Sequence, residues 1–112
     1  MDVVIDSSAA TDLGGEGIAI SSAANVSDVA LTNNFINNTA LIVLGQPGGI
    51  RVQGTSNITV THNVVGHVPY AGIMVGWQQG LPAADPTAPI FRVEHNHIHD
   101  FGLGILSDFG GM

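Results

Sequence analysis

The chain has no cysteine, and only two of its 112 residues, Arg51 and Arg92, are fixed cations. Without cysteine there are no disulfides and no thiolate metal sites. Two cations against nine carboxylates leave a formal net charge of −7. That balance excludes the basic stripe which nucleic-acid binding requires. Aromatic residues are 5%, so the core must rest on aliphatic stacking. Charged residues are 10%, so Ser, Thr, Asn and Gly must cover much of the surface. No apolar run reaches the length of a membrane-spanning helix, and no secretory signal precedes Asp2. No stretch carries a helical period, and no residue set demands a cofactor.

What is present repeats. Apolar, any, apolar, polar, Asn or His, Asn is written three times. The copies are Val29-Ala30-Leu31-Thr32-Asn33-Asn34, Ile58-Thr59-Val60-Thr61-His62-Asn63 and Phe91-Arg92-Val93-Glu94-His95-Asn96. The last Asn recurs after 29 and then 33 residues. A period of this size marks stacked repeats. A second phrase follows each copy: Ala40-Leu41-Ile42-Val43-Leu44-Gly45, Ala71-Gly72-Ile73-Met74-Val75-Gly76 and Leu103-Gly104-Ile105-Leu106-Ser107-Asp108. A third phrase, Gly17-Ile18-Ala19-Ile20-Ser21 and Gly49-Ile50-Arg51-Val52-Gln53, precedes two copies. Segments about four or five residues long and rich in β-branched side chains, between turns, suit strands and are too short for helices.

Three short strands per turn, stacked turn on turn, describe an all-β parallel β-helix with neighbouring strands about 4.8 Å apart. Residues 1–112 read as one such domain of three to four coils, and as an incomplete piece of a longer helix. Open strand edges would then meet further coils of a parent chain or a second copy. Alternation points Val29, Leu31, Ile58, Val60, Phe91 and Val93 inward, with Ile36, Val65 and Ile98 rejoining the core after the turn. Asn34, Asn63 and Asn96 fall at the bend. There a stacked Asn bonds its own bend and the next coil, and tolerates unusual dihedrals; these three read as a structural ladder. The Asn-x-Ser/Thr triplets at Asn25, Asn37 and Asn57 arise by chance in such a composition.

The repeat breaks twice. The third unit lacks a Gly-Ile-x-Val phrase directly before Phe91 and carries instead a stretch from Gly76 to Pro89 with three of the five prolines and the only Trp. Proline cannot donate to a sheet ladder, so residues 77–89 read as a loop thrown out from the coil. Trp77 at its base either stacks on a sugar ring or packs the loop against the coil. The second break runs from Glu94 to Asp108, with three of the nine carboxylates and three of the five histidines in one coil. Its readings stay open. His95, His97 and His99 at i, i+2, i+4 would share a face on a flat strand as metal ligands, but the bend at Asn96 interrupts them, so no metal is expected. Asp108 with Glu94 or Asp100 offers paired carboxylates for acid–base or nucleophilic cleavage of a glycosidic bond. Otherwise these side chains bond backbone at bends.

The run His95-Asn96-His97-Ile98-His99-Asp100-Phe101-Gly102, then Leu106-Ser107-Asp108-Phe109-Gly110-Gly111, resembles the right-handed parallel β-helix proteins related to glycoside hydrolases, of the pectin-lyase-like superfamily. Residues 68 to 77, with Gly72-Ile73-Met74-Val75-Gly76-Trp77, are similar to that family's Gly-Ile-x-x-Gly-Trp stretch. The resemblance implies a right-handed coil, a polysaccharide or glycan substrate and an extracellular or cell-surface location. It puts Asp108 forward as the catalytic residue, and Trp77, His97, His99 and Asp100 as substrate contacts or their support. A glycan-binding or adhesin-like β-helix without catalysis is the alternative function. A lyase of this fold needs Ca²⁺ and a basic residue, for which only Arg51 and Arg92 are available.

Overall fold

The computed structural model describes residues 2–21, 28–42, 48–54, 57–76, 90–103 and 111–112. Trp77, the loop 77–89 and Asp108 lie outside the described residues. The described strands are β1 (Asp2–Asp6), β2 (Ala9–Thr11), β3 (Ile18–Ile20), β4 (Asp28–Thr32), β5 (Phe35–Asn37), β6 (Ile50–Val52), β7 (Asn57–Thr61), β8 (Val64–Gly66), β9 (Ile73–Val75), β10 (Ile90–Glu94) and β11 (His97–His99). Among these residues there is no helix. The strands form three parallel sheets, in the orders β1-β4-β7-β10, β2-β5-β8-β11 and β3-β6-β9. One circuit of the chain thus visits each sheet once, and each coil rests on the one before it.

Register follows from the period-2 alternation, because a slip of one residue would turn every aliphatic side chain outward. Val3, Val29, Ile58 and Phe91 share one column, and Ile5, Leu31, Val60 and Val93 the next. The second sheet contributes Ala10, Ile36, Val65 and Ile98, and the third Ile18, Ile50 and Ile73. The middle coils are sealed: Leu31, Ile36, Ile50, Val60, Val65 and Ile73 have no accessible surface. Phe91 occupies an inward column yet is 47% exposed, because among the described residues no further strand stacks on β10. Coils this thin need glycine where backbone crosses backbone. A Cβ at Gly49 would lie 2.1 Å from the Gly72 carbonyl oxygen and 2.4 Å from a Val65 methyl.

Two sequence expectations are corrected here. Gly72-Ile73-Met74-Val75 belongs to the same column as Gly17-Ile18 and Gly49-Ile50, since β3, β6 and β9 form one sheet. The coil ending in β10 therefore does carry the Gly-Ile-x-Val phrase, with the stretch from Gly76 to Pro89 placed after it. Ala40-Leu41-Ile42, aligned in the sequence with that phrase, is not a strand. Ala40 turns left-handed at φ 55°, and Ala40, Leu41 and Ile42 donate backwards to Gly15, Leu13 and Gly14. The phrases look alike because both are short, aliphatic and near glycine; backbone pairing tells them apart. Gly111 then takes the place equivalent to Gly72: its carbonyl accepts from Ile73 N, as the Gly72 carbonyl accepts from Ile50 N. Leu103 N bonds the Val68 carbonyl instead, and the rest of its phrase lies outside the described residues.

Candidate functional site

Each coil bends twice with a non-glycine residue in the left-handed region. Ser7, Asn33, His62 and His95, at φ 51–57°, join the first sheet to the second. Asp12, Asn38, His67 and Asp100, at φ 50–57°, follow the second sheet. Asn, Asp and His enter this region at the lowest cost after glycine, which explains the residue types at both bends. The left-handed residue thus precedes Asn34, Asn63 and Asn96, which themselves have ordinary dihedrals.

Those three asparagines form a continuous ladder. Asn34 Oδ1 accepts from Ser8 N at 3.0 Å, Asn63 Oδ1 from Asn34 N at 3.0 Å, and Asn96 Oδ1 from Asn63 N at 2.9 Å. Their amide nitrogens donate to the carbonyls of Ile5, Leu31 and Val60. Asn34 and Asn63 are buried, so these bonds satisfy groups that water cannot reach. Ser8 holds the same place in the first coil, within Val3-Val4-Ile5-Asp6-Ser7-Ser8. The aliphatic spacing carried that fourth copy in the sequence, but Ser in place of Asn concealed it.

The second bend is where chemistry collects. In the lower coils it holds an ordinary bond, Asn38 Nδ2 donating to Asp12 Oδ1 at 2.7 Å. In the upper coils His67 and Asp100 take those places, and His99 joins them from β11. Asp100 Oδ2 lies 2.9 Å from His99 Nδ1 and 3.6 Å from His67 Nε2. The His99 hydrogen bond, followed by the positive potential of His67 and His99, holds the Asp100 carboxyl below its ordinary value. His67 Nδ1 sits 2.9 Å from Asn37 Oδ1. The His99 ring lies over Gly66, where a Cβ would meet ring atoms at 2.3–2.4 Å. A groove of about 190 Å³ adjoins the cluster, lined in part by His67, Thr39, Pro69 and Leu103. Outward on the same sheet stand Phe35, 45% exposed, and His97, whose ring centroid is 5.0 Å from that of His99.

The other candidates are placed elsewhere. His95 stacks on His62 with centroids 5.1 Å apart and planes 21° from parallel, so it does not converge with His97 and His99. Glu94 ends β10 and takes both Nε and a terminal nitrogen of Arg92 at 2.5 Å. That hydrogen bond keeps the Glu94 carboxyl below its ordinary value. Glu94 and Asp100 are thus held by different partners and do not share a proton. Arg51 is bound by Glu16, so both arginines are engaged with carboxylates. His67, Gly66 and Phe35 are not singled out by the sequence, and Asn37 stands out there only as part of an Asn-x-Thr triplet. The signal lay in the column Asn38, His67, Asp100, which is visible only once the second strand of each coil is aligned.

Comparison with curated proteins and with solved structures returned no match. The family described as "right handed beta helix region" matches residues 1–111. Three parallel sheets in one coil, sealed by stacked aliphatic columns, are what that description requires, and the chain belongs to the right-handed β-helix family.

Proposed function

We propose that this β-helix engages a neutral polysaccharide along the outer face of the second sheet. The observation that carries the reading is the composition of that face. Phe35 offers an exposed ring, His97, His99, His67 and Asp100 offer hydrogen-bonding groups, and a groove lies beside them. An aromatic ring covers the C–H face of a pyranose while polar groups meet its hydroxyls. Charge narrows the ligand. With net charge −7 and both arginines tied to carboxylates, an anionic polysaccharide would be repelled. A lyase acting on an acidic glycan is disfavoured on the same ground.

Hydrolysis is the finer form of this proposal, with Asp108 as acid, base or nucleophile and Trp77 as a further sugar contact, both outside the described residues. Asp100 and Glu94, both biased toward the ionised form, suit a base or a stabilising anion better than a proton donor. A polysaccharide ligand suits an extracellular or cell-surface location. A binding scaffold without catalysis is favoured by one observation: each of these two carboxylates is occupied by a neighbour.

Affinity electrophoresis in galactomannan, xyloglucan and arabinan tests binding. Retardation by at least one of these, weakened about tenfold by Phe35→Ala or His97→Ala and unaffected by Arg92→Ala on the first sheet, is the expected result. Polygalacturonate retarding the chain more strongly than any neutral polymer would refute the proposed ligand class. Reducing-end release by the native chain separates the two forms: its absence refutes hydrolysis, its loss in Asp108→Asn with binding retained supports it, and release that survives the substitution refutes the role of Asp108.

A further inference from the structure

We propose that His67, His99 and Asp100 bind one divalent transition-metal ion of the zinc class. These residues belong to the face proposed above to meet a glycan, but the metal reading needs no glycan to be bound. One donor atom from each residue lies within 4.8 Å of the other two. Asp100 Oδ2 is 3.6 Å from His67 Nε2 and 2.9 Å from His99 Nδ1. Metal–nitrogen and metal–oxygen bonds of about 2.0–2.2 Å at tetrahedral angles give donor–donor edges of about 3.3–3.6 Å. The His67–Asp100 separation is at that spacing, the His99–Asp100 separation is that of a hydrogen bond which the ion would replace, and rotation of the side chains sets the rest.

Three further features fit a site built for this purpose. Asn37 Oδ1 is only an acceptor, so His67 Nδ1 must carry the proton that bonds it at 2.9 Å. In the neutral ring, which is the form that ligates, the lone pair is then on His67 Nε2, on the side of Asp100. A ligating histidine whose second nitrogen is anchored in this way is the usual arrangement at metal centres. Gly66 clears the seat for the His99 ring, which any larger residue would displace. Coil stacking holds the register between donors: Val68 N donates to Asp100 O at 3.1 Å, tying the residue after His67 to Asp100 itself. Two imidazoles and one carboxylate suit zinc, copper, nickel or cobalt and do not suit calcium. Three protein donors leave positions open on the solvent side, where the groove begins.

Calorimetric titration of the 112-residue chain with ZnCl₂ at pH 7.5, paired with the absorption spectrum of the Co²⁺ form, tests this. One ion per chain with micromolar or tighter affinity is expected. His67→Ala and His99→Ala should each weaken binding at least tenfold. Gly66→Ala should weaken it as well, although it removes no donor. His62→Asn and His95→Asn, at the other bend, should leave it unchanged while circular dichroism confirms the fold of each variant. No saturable binding below millimolar zinc by the native chain overturns the proposal, whatever the variants do. So does equal binding by the urea-unfolded chain, or a loss in His62→Asn as large as in His67→Ala.

Discussion

At the scale of the residue, the fold depends on groups that accept and donate between coils. Asn63 is the clearest case. Its side chain serves Asn34 N, Asn34 Nδ2 and the Leu31 carbonyl, while its own backbone N bonds Asn96 Oδ1. Asn63→Ala leaves the buried Asn34 amide without its acceptor, while the Leu31 carbonyl loses one donor and keeps its place in the strand ladder. A loss of about 1–3 kcal/mol is expected, from one unsatisfied buried group. Urea unfolding checks it, and a change under about 0.5 kcal/mol would mean that the ladder is not structural. The ladder was legible in the sequence because Asn recurs at a constant place in an apolar frame. The left-handed positions were misplaced by one residue. Asn33 and Asn34 are both asparagine, and nothing in the pair says which one bends and which one bonds.

At the scale of the element, the third sheet is clamped by charge. Arg51 in β6 holds Glu16, just before β3, through two bonds of 2.7 and 2.8 Å, and its third nitrogen reaches Gln53 at 2.7 Å. The pair is largely shielded, with side-chain exposures of 19% and 11%. Glu16 raises the Arg51 pKa, so the guanidinium stays charged across the accessible pH range. Arg51→Met leaves the Glu16 carboxylate without its partner and is expected to cost about 1–3 kcal/mol. Arg51→Met with Glu16→Gln should recover part of that loss in a double-mutant cycle. A coupling energy of zero would show the clamp to be incidental. Sequence reading had treated Arg51 only as a scarce cation. Its partner lies 35 residues away and one coil below, a relation that appears only after β3 and β6 are paired. The same gap hid the His67, His99 and Asp100 cluster. The three-residue strands β5, β8 and β11 carry too little pattern to be recognised alone, so their bends could not be aligned.

At the scale of the whole molecule, carboxylates with lowered pKa set the response to acid. Asp6 is held low chiefly by the Thr32 hydroxyl and then by Asn33, Glu94 by Arg92, and Asp100 by His99. A carboxyl whose folded pKa is depressed stabilises the fold fully above its unfolded value. It loses that contribution as pH falls through the folded value. The unfolded values are 4.5 for Glu94 and 3.8 for Asp6 and Asp100. Urea midpoints should therefore hold steady above pH 5 on account of these groups and fall between pH 4.5 and pH 3, and Asp6→Asn should reduce the fall. An unchanged midpoint at pH 3 would contradict the assignment. Stacking underlies the whole molecule: one bend column frames the coil, which leaves the other free to carry chemistry. Amide hydrogen exchange in Asn63→Ala, followed by NMR under native conditions, tests that claim most directly. The Asn34 amide, 29 residues away in sequence, should lose its protection while the Asn63 amide, bonded to Asn96, keeps its own. Equal protection of Asn34 in the native and substituted chains would contradict it.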